Sequence, residues 1–326
     1  MADTEKYPNR AESIQPLPWK EAGLPPSIAA HGVGQFDQDD MLLWHHFITC
    51  TSSTFSDPWT VDIPAVAISH HFLMQGILAT AALHLAYLQP PHSSRYLYTS
   101  ARHQDLAMKG FQLVMPAVTP ENCNAVFAFS TLLLVHTLTS QFNEYSSSPP
   151  RPGQDLESIR AWIVLLRGCT TVYLSARTSL EAGPFGRRLA EFRVPEVPTD
   201  NAYDKRLRRI SQTLLTDVEV MEMSSEDEMD TYRASIHQLR LTSAASCNAD
   251  PLLDYRAIMI VWATRLPDQF LRLFNDRRPP ALVIMSYACM LLKRGEGLWF
   301  MEGRIDTMLN SLRAELSPEW HWYLDL

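Results

Sequence analysis

Apolar residues recur in this chain every three or four positions, in one stretch after another, and prolines cut the stretches apart. That is the helical period, which lines such residues along one face; no stretch shows the two-residue alternation of a half-buried strand. Val66, Leu73, Ile77, Leu78, Ala81, Ala82, Leu85 and Leu88 keep the spacing until Pro90-Pro91 stops it. Leu97, Ala101, Leu106, Ala107, Phe111 and Val114 resume it over Tyr96 to Val114. Pro120-Glu121-Asn122 then opens a segment at 125–142 that is apolar all round, the mark of a buried helix. An earlier helix starts at Phe36-Asp37-Gln38-Asp39-Asp40, with acids near its positive dipole end, and stops at Ser56-Asp57-Pro58. Further helices are expected at 155–175, 203–220, 226–245, 252–274 with a bend near Pro267, 280–293 and 298–316. Only 12 glycines stand among 326 residues, which argues against a turn-rich β architecture. The predicted fold is all-α, a single multi-helix bundle.

Prolines 8, 16, 18, 25 and 26 among polar residues mark 1–30 as a flexible arm, and 31–326 as the helical body. The stretch Tyr145-Ser-Ser-Ser-Pro-Pro-Arg-Pro-Gly153 predicts a flexible internal loop at about 145–154. A second proline-rich loop covers Arg193–Thr199. Hydrophobic residues at 46% and charged residues at 20% suit a folded domain rather than a disordered chain. The net charge of −8 argues against direct nucleic-acid binding, because neutralising phosphates needs a basic surplus. Cys50, Cys123, Cys169, Cys247 and Cys289 are isolated, and zinc sites built on thiolates need them closely spaced. No metal or other cofactor is expected. The polar N-terminus has no apolar signal core, and no apolar run reaches the roughly 18 residues that a membrane span needs. The longest candidates are Ile77–Leu88 and Phe127–Leu138, interrupted by His84 and His136.

Chemical motifs are sparse. His45-His46 and His70-His71 are neighbours that point about 100° apart on a helix and cannot share a metal facially. His84 and His136 lie in apolar faces, where a histidine is ordinarily a hydrogen-bonded core residue. Glu226-Asp227-Glu228-Met229-Asp230 approximates the aspartate-rich box with which class I terpene synthases hold magnesium. The nearest partner box, Thr307, Ser311 and Glu315, has a threonine where an amide or carboxylate belongs. Ser225 and Glu228 also have the spacing of a capping box, the simpler explanation of these acids. No nucleophile elbow or phosphate loop is present. Met74, Phe127, Phe129, Leu133, His136, Met285, Cys289 and Met290 would line any internal cavity, or simply pack against one another.

A series of short motifs carries a resemblance. In order they are Met41-Leu42-Leu43-Trp44-His45-His46-Phe47, Phe72-Leu73-Met74-Gln75-Gly76-Ile77-Leu78-Ala79, and Ala101-Arg102-His103-Gln104-Asp105-Leu106-Ala107. Thr119-Pro120-Glu121-Asn122-Cys123, Phe127-Ala128-Phe129-Ser130 and Leu166-Arg167-Gly168 come next. Leu266-Pro267-Asp268-Gln269-Phe270, Arg277-Arg278-Pro279-Pro280-Ala281-Leu282-Val283 and the whole segment from Val261 to Trp322 close the series. Together they resemble the regulatory region of fungal binuclear zinc-cluster transcription factors, in the branch of the sterol uptake control proteins. The chain departs from that pattern at His71, Arg304 and Tyr323-Leu324.

The resemblance implies a helical bundle around an apolar cavity, which in the sterol uptake control branch holds a sterol. It implies a regulator without a DNA-reading head of its own in this sequence, working in the nucleus and/or cytoplasm. Its expected partners are a small lipophilic ligand and related regulators, in homo- or hetero-association; such a chain is either a co-regulator or the body of a longer gene product. The competing expectation is an enzyme of fungal secondary metabolism that turned the cavity to a terpenoid or polyketide substrate, with His84, His136 or the 226–230 acids as first suspects.

Overall fold

The computed structural model of the chain describes residues 36–55, 58–143, 154–186, 189, 197–247, 262–293 and 297–326. The expected arm at 1–30 and the loop at 145–153 lie outside them, as do most of the 193–199 loop and the first part of the 252–274 helix. Among the described residues every regular element is helical. The apolar core lies within Asp39–Leu326, which form one compact unit.

The elements are α1 (Gln38–His46), continued by a π turn (Phe47–Thr51) and a 3₁₀ turn (Ser52–Thr54), α2 (Asp62–Ile68), α3 (His71–Leu88), α4 (Ser93–Val114), α5 (Cys123–Asn143), α6 (Gln154–Ser175) and α7 (Arg177–Ala182). The chain goes on through α8 (Ala202–Thr216), α9 (Val218–Met223), α10 (Glu226–Cys247), α11 (Asp268–Asn275), α12 (Pro279–Leu292), α13 (Arg304–Glu315) and a closing 3₁₀ segment, Pro318–Leu324. α3 is the centre of the first half: α2, α4 and α5 pack around it, and α6 packs on α5. In the second half α12 takes that place, with α8, α10, α11, α13 and the closing segment around it. α6 reaches both groups, touching α5 on one side and α11 and α13 on the other.

Two glycines let the first group close up. A Cβ on Gly76 of α3 would lie 2.6 Å from Phe129 Cδ2, and one on Gly110 of α4 would lie 2.9 Å from Phe72 Cβ. The Phe72, Phe111 and Phe129 rings consequently meet pairwise, with centroids 4.8 to 6.0 Å apart. Phe129 is fully buried and its ring cannot step aside. Gly76→Ala is therefore expected to cost about 1–3 kcal/mol through overpacking, despite the helix propensity gained. Denaturant unfolding would show it as a lower midpoint with an unchanged slope.

Three expected elements are corrected. The helix expected at 203–220 breaks at Asp217, whose backbone is extended and whose carboxylate accepts from Glu219 N and Val220 N to cap α9. The helix expected at 298–316 begins only at Arg304, because Gly303 takes a left-handed conformation at φ +71°. The bend expected at Pro267 is a full break: residues 262–265 are helical, and Pro267 starts α11 afresh at Asp268. The apolar run expected from Ile77 is also longer than its sequence pattern suggests. As a helix, His71–Leu88 is long and apolar enough to cross a membrane by length and composition. In this fold 72% of that stretch is buried, as a core helix requires.

Candidate functional site

The motifs of the sequence meet one another in space. Asp40 precedes the first motif, Gln75 lies in the second and Arg102-His103 in the third, and these side chains form one polar chain, buried at Asp40, Gln75 and His103. Asp40 Oδ1 stands 3.2 Å from both Arg102 Nη2 and His103 Nε2. His103 Nδ1 lies 2.6 Å from Gln75 Oε1, and Gln75 Nε2 lies 3.3 Å from His71 Nε2. Asp40 and His103 are only 3% and 1% exposed. Buried polar groups persist where partners satisfy them, so this chain fixes α1, α3 and α4 in one arrangement.

Elsewhere Arg167 of the Leu-Arg-Gly motif donates to Ala263 O at 2.9 Å, to Leu266 O, and to Asp268 Oδ1 at 2.6 Å, clamping α6 onto the Leu-Pro-Asp motif. Asn122 folds its own motif: its side chain accepts from Thr119 N at 2.8 Å and donates to Ala117 O at 2.9 Å, just before α5 begins. The departures are absorbed locally. His71 is the first residue of α3, a position that also suits proline. Arg304 opens α13 and donates from Nε to Phe300 O at 2.7 Å. Tyr323 seals the end of the fold, donating to Asp217 Oδ2 at 2.6 Å while its carbonyl accepts from Tyr287 Oη at 2.9 Å.

The candidate cavity residues divide between the two halves. Phe129, Leu133 and His136 succeed one another at helical spacing on α5, whose neighbours are α2, α3, α4, α6 and α7. Phe127 turns to a different side of α5, its ring edge-on to Phe185 at 4.9 Å. Met74 is partly buried on α3. Met285 and Cys289 are buried in α12, in the other group of helices. Phe127, Phe129, Met285 and Cys289 are sealed, whereas Met74, Leu133 and His136 keep partial contact with solvent.

Burial lowers the pKa of His136 to about 4, so its imidazole is uncharged at neutral pH. His84 stands in the same condition. Its Nδ1 lies 3.0 Å from Thr51 Oγ1, and its ring sits between Trp299 at 4.9 Å and His46 at 5.2 Å. Burial, then the charge of His46, lowers His84 to about 3. Burial, then His45, lowers His46 to about 4, and its Nε2 is buried without a partner. Trp299 in turn donates to Thr54 Oγ1 at 3.1 Å. The turns after α1 thus supply both threonines that tie down the His84–Trp299 pair. Neither this arrangement nor the Asp40 chain is among the sequence expectations. The one signal for them in the sequence is that polar residues recur inside motifs otherwise made of packing positions.

The remaining candidates are engaged in local structure. The capping box is present: Ser225 N donates to Glu228 Oε2 at 2.8 Å, and Glu228 N to Ser225 Oγ at 3.3 Å. Asp230 pairs with Arg233. Thr307 and Ser311 bond backbone carbonyls one turn earlier, at 3.0 and 2.9 Å, and Glu315 pairs with Arg277 at 2.9 Å. Among the described residues no three His, Cys, Asp or Glu side chains gather as metal ligands. Burial pushes the Cys169 and Cys289 thiols up to about 12 and raises Cys123, leaving all three as neutral core groups.

A family model described as the fungal specific transcription factor domain matches residues 42–227. The chain belongs to that family. Similar proteins include the Zn(2)-C6 fungal-type transcription factor afumD of Aspergillus fumigatus, 24% identical over 83% of this chain and 70% of the relative. A Zn(2)-C6 fungal-type transcription factor of Gibberella zeae is 23% identical over 88% of this chain. Sterol uptake control protein 2 of Candida albicans is 27% identical over 45% of this chain. The aligned part makes up 60% of the Gibberella relative and 20% of the Candida one, so these proteins are longer than the region they share with this chain. A role of the transcription-regulator kind, and hence nuclear work, follows from membership of the fungal transcription factor family. The α3 and α4 motifs with Gln75, Arg102 and His103, and α5 with its histidine, fall inside the matched region, which begins two residues after Asp40.

Proposed function

We propose that this chain is the sensing body of a zinc-cluster-type transcription regulator, and that it responds to a small lipophilic ligand held beside α5. The observation that carries the reading is the face of Phe129, Leu133 and His136. Leu133 and His136 are partly accessible, as are Asn124, Thr131 and Thr137 on the same mostly buried helix, and His136 is an uncharged polar group there. A lipophile with one hydroxyl or carbonyl asks for that combination, apolar walls and a single orienting hydrogen-bond partner. Met74 is the adaptable neighbour on α3, whereas Phe127 faces Phe185 and Met285 and Cys289 belong to the second group of helices, apart from this face. One relative bears the name of a sterol uptake control protein, which makes sterols the first ligands to try. Association with related regulators would transmit the response, from nucleus or cytoplasm, to a DNA-reading head.

The reading is tested by tethering the chain to an unrelated DNA-binding domain in a fungal host and measuring a reporter under sterol depletion and supplementation. Reporter output is expected to differ severalfold between the two conditions, and His136→Phe, which fills the face, should flatten the difference. Equal output from the wild-type chain in both conditions would reject ligand sensing.

A further inference from the structure

Three phenylalanine rings fix the relative heights of α3, α4 and α5. Phe72 of α3, Phe111 of α4 and Phe129 of α5 meet pairwise. α3 and α4 run antiparallel: Phe72 at the start of one meets Phe111 near the end of the other, and Tyr96 Oη at the opposite end donates to Gln89 Oε1 at 3.4 Å, just past α3. α5 runs alongside α3 in the same direction, since a Cβ on Gly76, one turn beyond Phe72, would meet Phe129 and then Leu132. Seven residues make about two helical turns, roughly 10.5 Å of rise, and bring a side chain back to nearly the same face. That far beyond the rings, towards the other end of the three helices, stand Ala79, Gln104 and His136.

This second level is built differently. Ala79 is small and fully buried, as is Ala107 in the turn of α4 between Phe111 and Gln104. α4 and α5 both pack along α3 and touch each other far less. The alanines thus leave the space beyond the rings to two polar side chains, one from each side. Gln104 is 9% exposed, and its Nε2 is enclosed without a hydrogen-bond acceptor. Ser100, one turn farther on the same face of α4, is 1% exposed and its Oγ is equally without a partner. The charged neighbours Arg102 and His103 turn to Asp40 instead. Burial keeps His136 uncharged, and it is partly accessible from outside. A buried amide without an acceptor is costly, so it marks where an acceptor oxygen belongs. With no charge on either side, a carboxylate would be desolvated without a counter-ion and an ammonium would face an N–H.

We propose that Gln104 recognises the polar end of the ligand held beside α5, its Nε2–H donating to the oxygen of an uncharged lipophilic alcohol or ketone that His136 holds from the other side. The apolar body of the ligand then lies against Leu133, and Ser100 extends the polar end by one turn. This inference rests on the reading of the α5 face as a ligand site and adds α4 to it.

The test compares the wild-type chain with Gln104→Met, which keeps the length and shape of the side chain and removes the amide. The probes are cholestanol, cholestanone and cholestane, farnesol and farnesene, and oleic acid, with Kd from equilibrium dialysis and Tm from thermal unfolding. At least one oxygenated probe should bind the wild type about tenfold more tightly than its hydrocarbon and than oleic acid. Gln104→Met should bind that probe no better than the hydrocarbon. Without ligand, its Tm should be unchanged or about 1–3 °C higher, because a buried amide lacking an acceptor has been removed. A variant that keeps the preference, or that loses several degrees of Tm without ligand, would overturn the role of Gln104 and leave the α5 reading standing. Oleic acid bound as tightly as the alcohols would overturn the uncharged polar end. Wild-type protein that binds none of the probes would overturn the inference and the reading beneath it together.

Discussion

Asp204→Ala should cost about 3–5 kcal/mol, among the largest losses expected of a single side chain in the fold. Asp204 is 1% exposed and holds α8 against α10: its Oδ1 accepts from Arg240 Nε at 2.7 Å and its Oδ2 from Arg240 Nη2 at 3.3 Å and Arg208 Nε at 3.0 Å. Removing the carboxylate leaves Arg240, itself three-quarters buried, facing an apolar gap with no counter-charge. Most of the cost is that uncompensated charge rather than the worth of the pair. Asp204→Leu combined with Arg240→Met should therefore recover much of what Asp204→Ala loses, since the pair is then replaced by apolar volume. Guanidinium unfolding of the three variants checks this. A double variant as unstable as the single one would contradict it.

Mild acid should be the second large effect. The pKa values of His84, His46 and His136 are lowered by burial to about 3, 4 and 4, against roughly 6.5 in the unfolded chain. Below pH 6.5 the unfolded chain binds protons at these sites and the native chain does not, so protonation favours unfolding. Their contribution is complete above pH 6.5 and is lost progressively as pH falls towards the native values. At pH 5 each histidine has forfeited about 2 kcal/mol, and the three together roughly 4–6 kcal/mol, a large share of a typical domain's stability. Stability measured by urea unfolding at pH 7 and pH 5 should differ by that much, and by about 2 kcal/mol less in His136→Gln. A flat profile between those values would mean that the imidazoles are open to water.

Most helices are legible in the sequence because apolar period and proline stops are local properties. α4, α5, α6 and α10 appear close to their expected bounds, whereas the run expected from Val66 to Leu88 is broken at Ser69-His70 into α2 and α3, His70 being extended. The breaks at Asp217 and Gly303 are not legible, since apolar spacing runs on through both. What decides them is a carboxylate capping forward and a left-handed glycine. The motifs point to the family, yet not to the reason for their own residues. Arg167 is explained only by carbonyls nearly a hundred positions later, and Gln75 only by a histidine on the next helix. Pairings of that kind depend on how helices meet, and no local period encodes them. The segment from Val261 to Trp322, which carries the resemblance most visibly, lies beyond the family match at 42–227. The candidate site is legible as a list of apolar residues. That Leu133 and His136 keep a path to solvent while Phe129 beside them is sealed emerges only from the packing.

Native mass spectrometry of the chain purified from a fungal host most directly tests whether the α5 face holds a ligand. The account predicts a fraction carrying one small lipid that is released on collisional heating, identified as a hydroxyl- or carbonyl-bearing lipophile, and absent when His136→Phe fills the face. Wild-type protein that flies bare under conditions where a known lipid-binding control keeps its ligand would contradict it.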